Sequence, residues 1–201
     1  MAKNIVYLIL LLFLNSGCRP LIEINGNSYR FLNATSLNRL RVMNDSVCSN
    51  RGSSIGMYEI SRNDMSRIIN SNSNSVFMFF LPSCPVLDVS GIKEVYDLCK
   101  NQKNVNLYLV SMTYEIGSIN SLNKKLDNSS AIFILKDSDF SHKTRKANAR
   151  LNKLWKGYDT NQNIENVKNY YDWVIIRNGE IESAHPNTDT GVSESIRNMI
   201  Y

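Results

Sequence analysis

The chain has 201 residues, of which 43% are hydrophobic and 20% are charged, and its formal net charge is +5. This length and apolar fraction fit one domain of mixed structure, and they exclude wholesale disorder and a pair of large domains. Nine glycines and four prolines exclude collagen-like and proline-rich architectures, no segment repeats another, and the scattered basic residues do not indicate a nucleic-acid-binding protein.

The N-terminus has the pattern of an export signal. Lys3 precedes the unbroken apolar run Ile5–Leu14, which is about half the ~20 residues that a membrane-spanning helix needs. The small residues Ser16 and Gly17 follow, and Cys18 comes directly after them. A short basic start, a short apolar run and then small residues are typical of a secretory signal peptide.

With Cys18 at this position, the segment resembles a bacterial lipoprotein signal. The resemblance implies that residues 1–17 are removed and that Cys18 carries lipid, such as palmitate. The protein would then be anchored to a membrane of the bacterial cell envelope and face the periplasm. An ordinary signal peptide that is cleaved nearby, with Cys18 incidental, is the alternative. An envelope location permits disulfides, but the other cysteines, Cys48, Cys84 and Cys99, cannot all pair within one chain.

Residues 18–55 are predicted to form an N-terminal extension. The segments Leu21–Ile24 and Ser28–Leu32 flank the turn signal Asn25-Gly26-Asn27, and this pattern predicts a small hairpin. The rest of the extension is polar and carries Cys48. We expect it to be irregular or partly helical, packed on the following domain or loosely tethered to it.

Residues 56–201 are predicted to form one domain of alternating strands and helices. Short apolar runs rich in β-favouring residues predict strands, and apolar residues three or four apart predict helices. In chain order the predicted elements are a strand at Met57–Ile60, a helix at Arg62–Ile69 capped by Ser61, a strand at Val76–Leu81, a helix at Val86–Lys100, a strand at Asn106–Met112, a helix at Ser118–Leu126, a strand at Ala131–Leu135, a helix at Ser141–Lys156, strands at Tyr171–Ile176 and Glu180–Ala184 joined by Asn178-Gly179, and a helix at Gly191–Ile200. This order predicts an α/β fold with a central, mostly parallel sheet, a C-terminal antiparallel hairpin and flanking helices.

The segment Pro82-Ser83-Cys84-Pro85 directly follows the predicted strand at Val76–Leu81. The predicted helix places Cys84 at a helix N-terminus, where unpaired amides and the helix dipole stabilise a thiolate. The thiolate is the attacking species in thiol–disulfide exchange. Cys84 also follows the carboxyl end of a strand, where open α/β sheets bind their ligands. Cys84 is therefore the candidate nucleophile.

The motif and the element order resemble the thioredoxin-like superfamily, in particular its exported, membrane-tethered oxidoreductases and the related peroxiredoxins. The strand and active-site turn of the family resemble VFMFFLPSCP, and the family's next strand resembles NLYLVSM. Its inserted unit resembles AIFILKDSD with the helix after it, and its terminal hairpin resembles YDWVIIRNGEIESA. The resemblance implies a thioredoxin-like fold and thiol–disulfide exchange. Two family features are absent: Leu87 stands where the Cys-x-x-Cys motif has its second cysteine, and residues 169–172 contain no proline where the family places its cis-proline.

Two functions are compatible with this sequence. The first is an exported redox lipoprotein in which Cys84 attacks and Cys48, a small thiol or a partner protein resolves the mixed disulfide. The second is a non-catalytic thioredoxin-like binding or scaffold module that uses the surface around Pro82–Leu87 and Tyr170-Tyr171. The missing second cysteine and the missing cis-proline favour the second function, whereas Cys84 beside Pro85 favours the first.

The remaining candidate residues indicate core packing or solvent exposure. Cys99 shares an apolar helix face and lies too far along the same predicted helix to pair with Cys84. His142 and His185 have no metal-ligand spacing and no phosphate-binding loop is present, so no metal, cofactor or nucleic-acid partner is predicted. The basic run His142–Arg150 is interpreted as a solvated helix face, with docking on an anionic surface as the alternative.

Overall fold

The structure of the chain is a computed structural model. It describes residues 40–42, 56–71, 74–84, 87, 89–100, 102, 104–126, 130–141, 144–159, 172–185 and 196–197. The predicted signal segment, the hairpin before residue 33, Cys18, Cys48 and Tyr170-Tyr171 lie outside the described residues.

The described part of the chain contains seven strands and five helices. They are β1 (Leu40–Val42), β2 (Gly56–Ile60), α1 (Arg62–Asn70), β3 (Asn74–Phe80), α2 (Val89–Lys100), β4 (Val105–Ser111), α3 (Ile116–Lys125), β5 (Ala131–Leu135), α4 (Asp137–Phe140), α5 (Thr144–Lys156), β6 (Trp173–Arg177) and β7 (Glu180–His185). Ile196 and Arg197, inside the predicted last helix, are helical.

All seven strands belong to one sheet, in the order β1-β2-β5-β4-β3-β6-β7. Strands β1 to β5 run parallel to one another, whereas β6 is antiparallel to β3 and β7 is antiparallel to β6. The predicted α/β class, with a mostly parallel sheet, a C-terminal antiparallel hairpin and flanking helices, is therefore confirmed. One strand was not predicted: β1 comes from the N-terminal extension and pairs with β2 at the sheet edge.

The continuous apolar run of β3 explains why this strand lies inside the sheet. Six of its seven residues are buried, because helices cover both sheet faces and alternate side chains point to opposite faces. On one face Phe77 packs against Tyr108 and Trp155, with ring centroids 5.0 and 5.5 Å apart. On the other face Val76 and Met78 join a mainly aliphatic cluster. Burying a side chain of this size stabilises the fold by about 1.5–3 kcal/mol relative to its exposed state.

The helices pack as two layers on these faces. Helices α1 and α5 bury their apolar sides in the aromatic cluster, through Met65, Ile68, Ile69, Ala147, Leu151, Leu154 and Trp155. Helices α2 and α3 bury theirs in the aliphatic cluster, through Ile92, Val95, Cys99, Ile116, Ile119 and Leu122. The sheet is therefore the middle layer of three.

Two local signals account for helix and turn boundaries. Ser61 caps α1 in a capping box: its hydroxyl accepts from Asp64 N–H, and its own N–H donates to the Asp64 carboxylate. Asn178 and Gly179 have φ of 53° and 86°, the left-handed pair that a two-residue hairpin turn requires. Both predictions are confirmed.

The prediction of one helix over Ser141–Lys156 is wrong at its start. A short helix, α4, precedes Ser141, and α5 begins only at Thr144. Ser141 separates them because its φ of 77° lies in the left-handed region, which a right-handed helix cannot contain. The spacing of apolar residues indicated the buried face of α5, but it gave no indication of the left-handed backbone at Ser141.

Candidate functional site

The segment after β3 consists of two successive turns that share Cys84. The Cys84 N–H donates to Leu81 O at 3.0 Å, and the Leu87 N–H donates to Cys84 O at 3.1 Å. The second position of the first turn is a proline, Pro82. Proline favours this position because its fixed φ matches the turn geometry. The two turns hold Cys84 at the carboxyl end of β3 with its side chain partly exposed.

The prediction that Cys84 starts a helix is wrong, because α2 begins at Val89 rather than Val86. The proline at position 85 disfavours helical backbone at Cys84, and the carbonyl of Cys84 accepts from the Leu87 N–H in a four-residue turn. A helix dipole acts strongly only within its first turn of about 3.6 residues. Cys84 precedes Val89 by five positions, so the expected stabilisation of a thiolate by the helix N-terminus is not supported.

The described cysteines differ in chemical state. Cys84 is disulfide-bonded, whereas Cys99 is free and buried. Burial raises the pKa of Cys99 from 9.0 to about 12, because the apolar surroundings disfavour the thiolate. The predicted core role of Cys99 is confirmed. The two other cysteines of the chain, Cys18 and Cys48, lie outside the described residues.

Backbone hydrogen bonds connect β3 with the segments beside it at this edge of the sheet. The Met112 N–H, after β4, donates to Phe80 O at 3.0 Å. On the other side of β3 the Phe79 N–H donates to Asp172 O at 2.7 Å, and the Asp172 N–H donates to His185 O at 3.0 Å. His185 is therefore two strands from β3, or roughly 10 Å at the usual strand spacing. Its ring contacts the hydroxyl of Ser183 at 3.0 Å.

Two buried side-chain oxygens after β4 have no hydrogen-bond partner among the described residues. They are Thr113 Oγ1 and Glu115 Oε1. The backbone around Thr113 is fixed, since its N–H donates to Ser111 Oγ and its carbonyl accepts from the same hydroxyl at 2.7 Å. An unsatisfied buried polar group costs stability, so these two atoms are candidates for contacting a ligand or partner at this edge.

A second polar link crosses the same end of the sheet. The hydroxyl of Tyr114 donates to Glu59 Oε1 at 2.7 Å and accepts from the Asp137 N–H at 3.1 Å. It therefore joins β2 to the segments that follow β4 and β5. Sequence reasoning missed Thr113, Glu115 and this link, although the polar residues that follow the buried strand NLYLVSM were a signal available for them.

No group of three or more His, Cys, Asp or Glu side chains in the described ranges is arranged to hold a metal ion. Within the same ranges no helix combines the length and the apolar character needed to span a membrane, and no peptide bond is cis. Comparison of the chain with protein-family models, with curated proteins and with solved structures finds no match in any of the three.

Proposed function

We propose that this chain is an exported, lipid-anchored protein of thioredoxin-like fold that takes part in thiol–disulfide exchange through Cys84. The observation that carries the proposal is the disulfide-bonded, partly exposed state of Cys84 in the turn after a central parallel strand. Strand β3 lies between parallel β4 and antiparallel β6, which fits the mostly parallel sheet with a C-terminal antiparallel hairpin that the thioredoxin-like resemblance implies. The resemblance of residues 1–18 to a lipoprotein signal implies exposure to the periplasm, where a disulfide persists.

We propose Cys48 as the disulfide partner of Cys84. The chain has four cysteines, and Cys99 is free, so Cys18 and Cys48 are the remaining intramolecular candidates. In the proposed lipoprotein the thiol of Cys18 carries a thioether-linked lipid and cannot form a disulfide. This elimination leaves Cys48, which would replace the absent second cysteine of the motif.

The exchange would proceed in two balanced steps. In the reduced protein the Cys84 thiolate attacks a substrate disulfide, which forms a mixed disulfide and releases one substrate thiolate. The Cys48 thiolate then attacks Cys84 Sγ, forms the Cys48–Cys84 disulfide and releases the second substrate thiolate. The two cysteines thereby give two electrons to the substrate, and water supplies protons to the released thiolates.

The test is peptide mapping of the oxidised full-length chain after free thiols are blocked without reduction. We expect a Cys48–Cys84 cross-linked peptide, and a Cys48→Ala variant whose Cys84 forms a mixed disulfide with oxidised glutathione. Cys99→Ala is the matched control and should leave both results unchanged. A Cys18–Cys84 peptide would contradict the proposed pairing, and a Cys84 in Cys48→Ala that does not react with glutathione would contradict exchange.

A non-catalytic binding or scaffold module is the second candidate. It is favoured by the late start of α2 at Val89, which leaves Cys84 outside the first turn of that helix. The unpartnered buried oxygens of Thr113 and Glu115 also favour it, because bound partners satisfy such groups. In that case the Cys84 disulfide is structural, and it would resist glutathione until the protein unfolds.

A further inference from the structure

Helix α5 presents a solvent-facing side on which every charged residue is basic. The residues concerned are Arg145, Lys146, Arg150, Lys153 and Lys156, all exposed. At 3.6 residues per turn they span an arc of about 140°, interrupted only by Ala149. The opposite side of the helix is fixed in the aromatic cluster by Leu151 and Trp155, so the basic side has one orientation. We call these five residues the basic face.

Within the described residues, no carboxylate forms an ion pair with the basic face. Helix α5 contains no acidic residue, and Arg145, Lys146, Lys153 and Lys156 form no ion pair with any described residue. Arg150 donates only to the backbone carbonyl of Asp139, at 3.1 Å.

Other exposed arginines of the domain have acidic neighbours. Arg67 pairs with Asp64 in α1, and Arg197 lies 3.7 Å from Glu94 of α2. Like charges three and four positions apart, such as Lys146, Arg150 and Lys153, repel each other and destabilise a helix. The charge clustering is therefore not explained by the stability of the fold.

We propose that the basic face docks on an anionic phospholipid surface and thereby holds the domain against the membrane. The proposal rests on the lipid anchor of the proposed function. About 20 residues separate Cys18 from β1, and a chain of that length reaches up to roughly 70 Å, which is enough for α5 to contact the bilayer. A juxtamembrane set of basic residues is attracted to anionic headgroups within about one Debye length, roughly 10 Å.

A membrane fits the basic face better than a single-stranded nucleic acid does. The arc offers no exposed aromatic side chain on which a base could stack, because Trp155 is buried. A bilayer presents many equivalent anionic groups in a plane, and the five basic side chains can contact several of them at once. Nucleic acid is therefore one arm of the test.

The test measures vesicle binding of full-length chains that carry Cys18→Ala, so that no acyl chain contributes. Vesicles contain phosphatidylcholine alone or with about one third phosphatidylglycerol, at about 0.05 M and about 0.5 M salt. The test variant is K146Q/K153Q. The matched control is K124Q/K125Q, which removes the same charge from exposed lysines of α3, a helix in the other layer. Thermal unfolding verifies that both variants fold.

We expect the parent chain and K124Q/K125Q to bind the anionic vesicles at low salt, with K146Q/K153Q weakened about tenfold or more. High salt should abolish the difference, and neutral vesicles should show none. Equal binding by the two variants would overturn the proposal. Loss of single-stranded DNA binding in K146Q/K153Q with unchanged vesicle binding would also overturn it. Neither result bears on the thiol exchange or on the lipid anchor. Peptide mapping tests the exchange, and fractionation of cells that carry Cys18→Ala tests the anchor.

Discussion

Cys99 and Cys84 show how position in the fold determines what a cysteine can do. Cys99 lies in the aliphatic cluster, 4% exposed, with a pKa raised to about 12. Cys84 lies in a partly exposed turn and is disulfide-bonded. A buried thiol with a raised pKa has almost no thiolate at neutral pH, and is therefore inert towards disulfides.

The raised pKa of Cys99 predicts a loss of stability in alkaline solution. Above pH 9.0 the thiol ionises in the unfolded chain but stays protonated in the folded chain up to about 12. Unfolding then releases a proton. The contribution of Cys99 to the free energy of unfolding therefore falls as pH rises, by about 1.4 kcal/mol per pH unit. Urea unfolding of the native chain and of Cys99→Ala between pH 8 and 11 measures the effect. The free energy of unfolding should fall more steeply with pH in the native chain than in Cys99→Ala. Parallel curves for the two proteins would contradict this prediction.

A substitution at Thr113 is expected to stabilise the fold. Its buried Oγ1 has no hydrogen-bond partner among the described residues, and valine has nearly the same shape without the hydroxyl. Thr113→Val should raise the free energy of unfolding by about 1 kcal/mol, because an unsatisfied buried polar group is removed. Ser111→Ala is the contrasting variant, because its hydroxyl has two hydrogen bonds to Thr113 backbone, and it should destabilise the fold by about 1 kcal/mol. Destabilisation by Thr113→Val would show that the hydroxyl has a partner.

At the scale of elements, periodicity and apolar runs predicted most of the fold. β5 was predicted with its observed bounds, and β2, β3 and α1 within two residues at each end. These elements depend on local signals: a short apolar run, a helical stripe or a cap. The start of α2 and the break at Ser141 were not predicted, because each depends on the backbone conformation of a few residues that apolar spacing does not encode.

The capping box of α1 provides a test at this scale. Ser61→Ala removes the side-chain acceptor of Asp64 N–H, and should lower the free energy of unfolding by about 1 kcal/mol. Ser121→Ala, at an exposed position inside α3, is the matched control and should be neutral or slightly stabilising, because alanine favours helix interiors. Thermal unfolding of the two variants measures the difference. Equal melting temperatures would contradict the capping role.

At the scale of the whole molecule, the alternation of strands and helices predicted the sheet and its reversed last strands. The position of Cys84 at the carboxyl end of β3 followed from the same pattern. The polar residues Thr113, Glu115 and Asp172 at this end of the sheet could not be predicted as a group, because they come from segments far apart in sequence. Their arrangement depends on which strands become neighbours, and one sequence does not specify strand order directly.

The predicted lipid anchor is testable in cells. Cys18→Ala removes the thiol that would be acylated, and should move the protein from the membrane fraction to the soluble fraction, since lipid chains provide the stable attachment. Cys99→Ala is the matched control and should stay in the membrane fraction. Metabolic labelling with a palmitate analogue, followed by fractionation, measures both changes. Unchanged attachment of Cys18→Ala to membranes washed in about 0.5 M salt, which removes electrostatic docking, would contradict the lipoprotein prediction.

The pairing of β3 with β6 has a consequence for synthesis of the protein. Ribosomes release β3 and β4 early, and they release β6 only after most of the domain. Strand β6 pairs with β3, with Ile175 opposite Val76. Until β6 is synthesised, the edge of β3 that later pairs with β6 has unpaired amides and carbonyls. An unpaired edge of an apolar strand promotes aggregation. Nascent chains that stop before Trp173 therefore keep this edge open, and the last hairpin closes it.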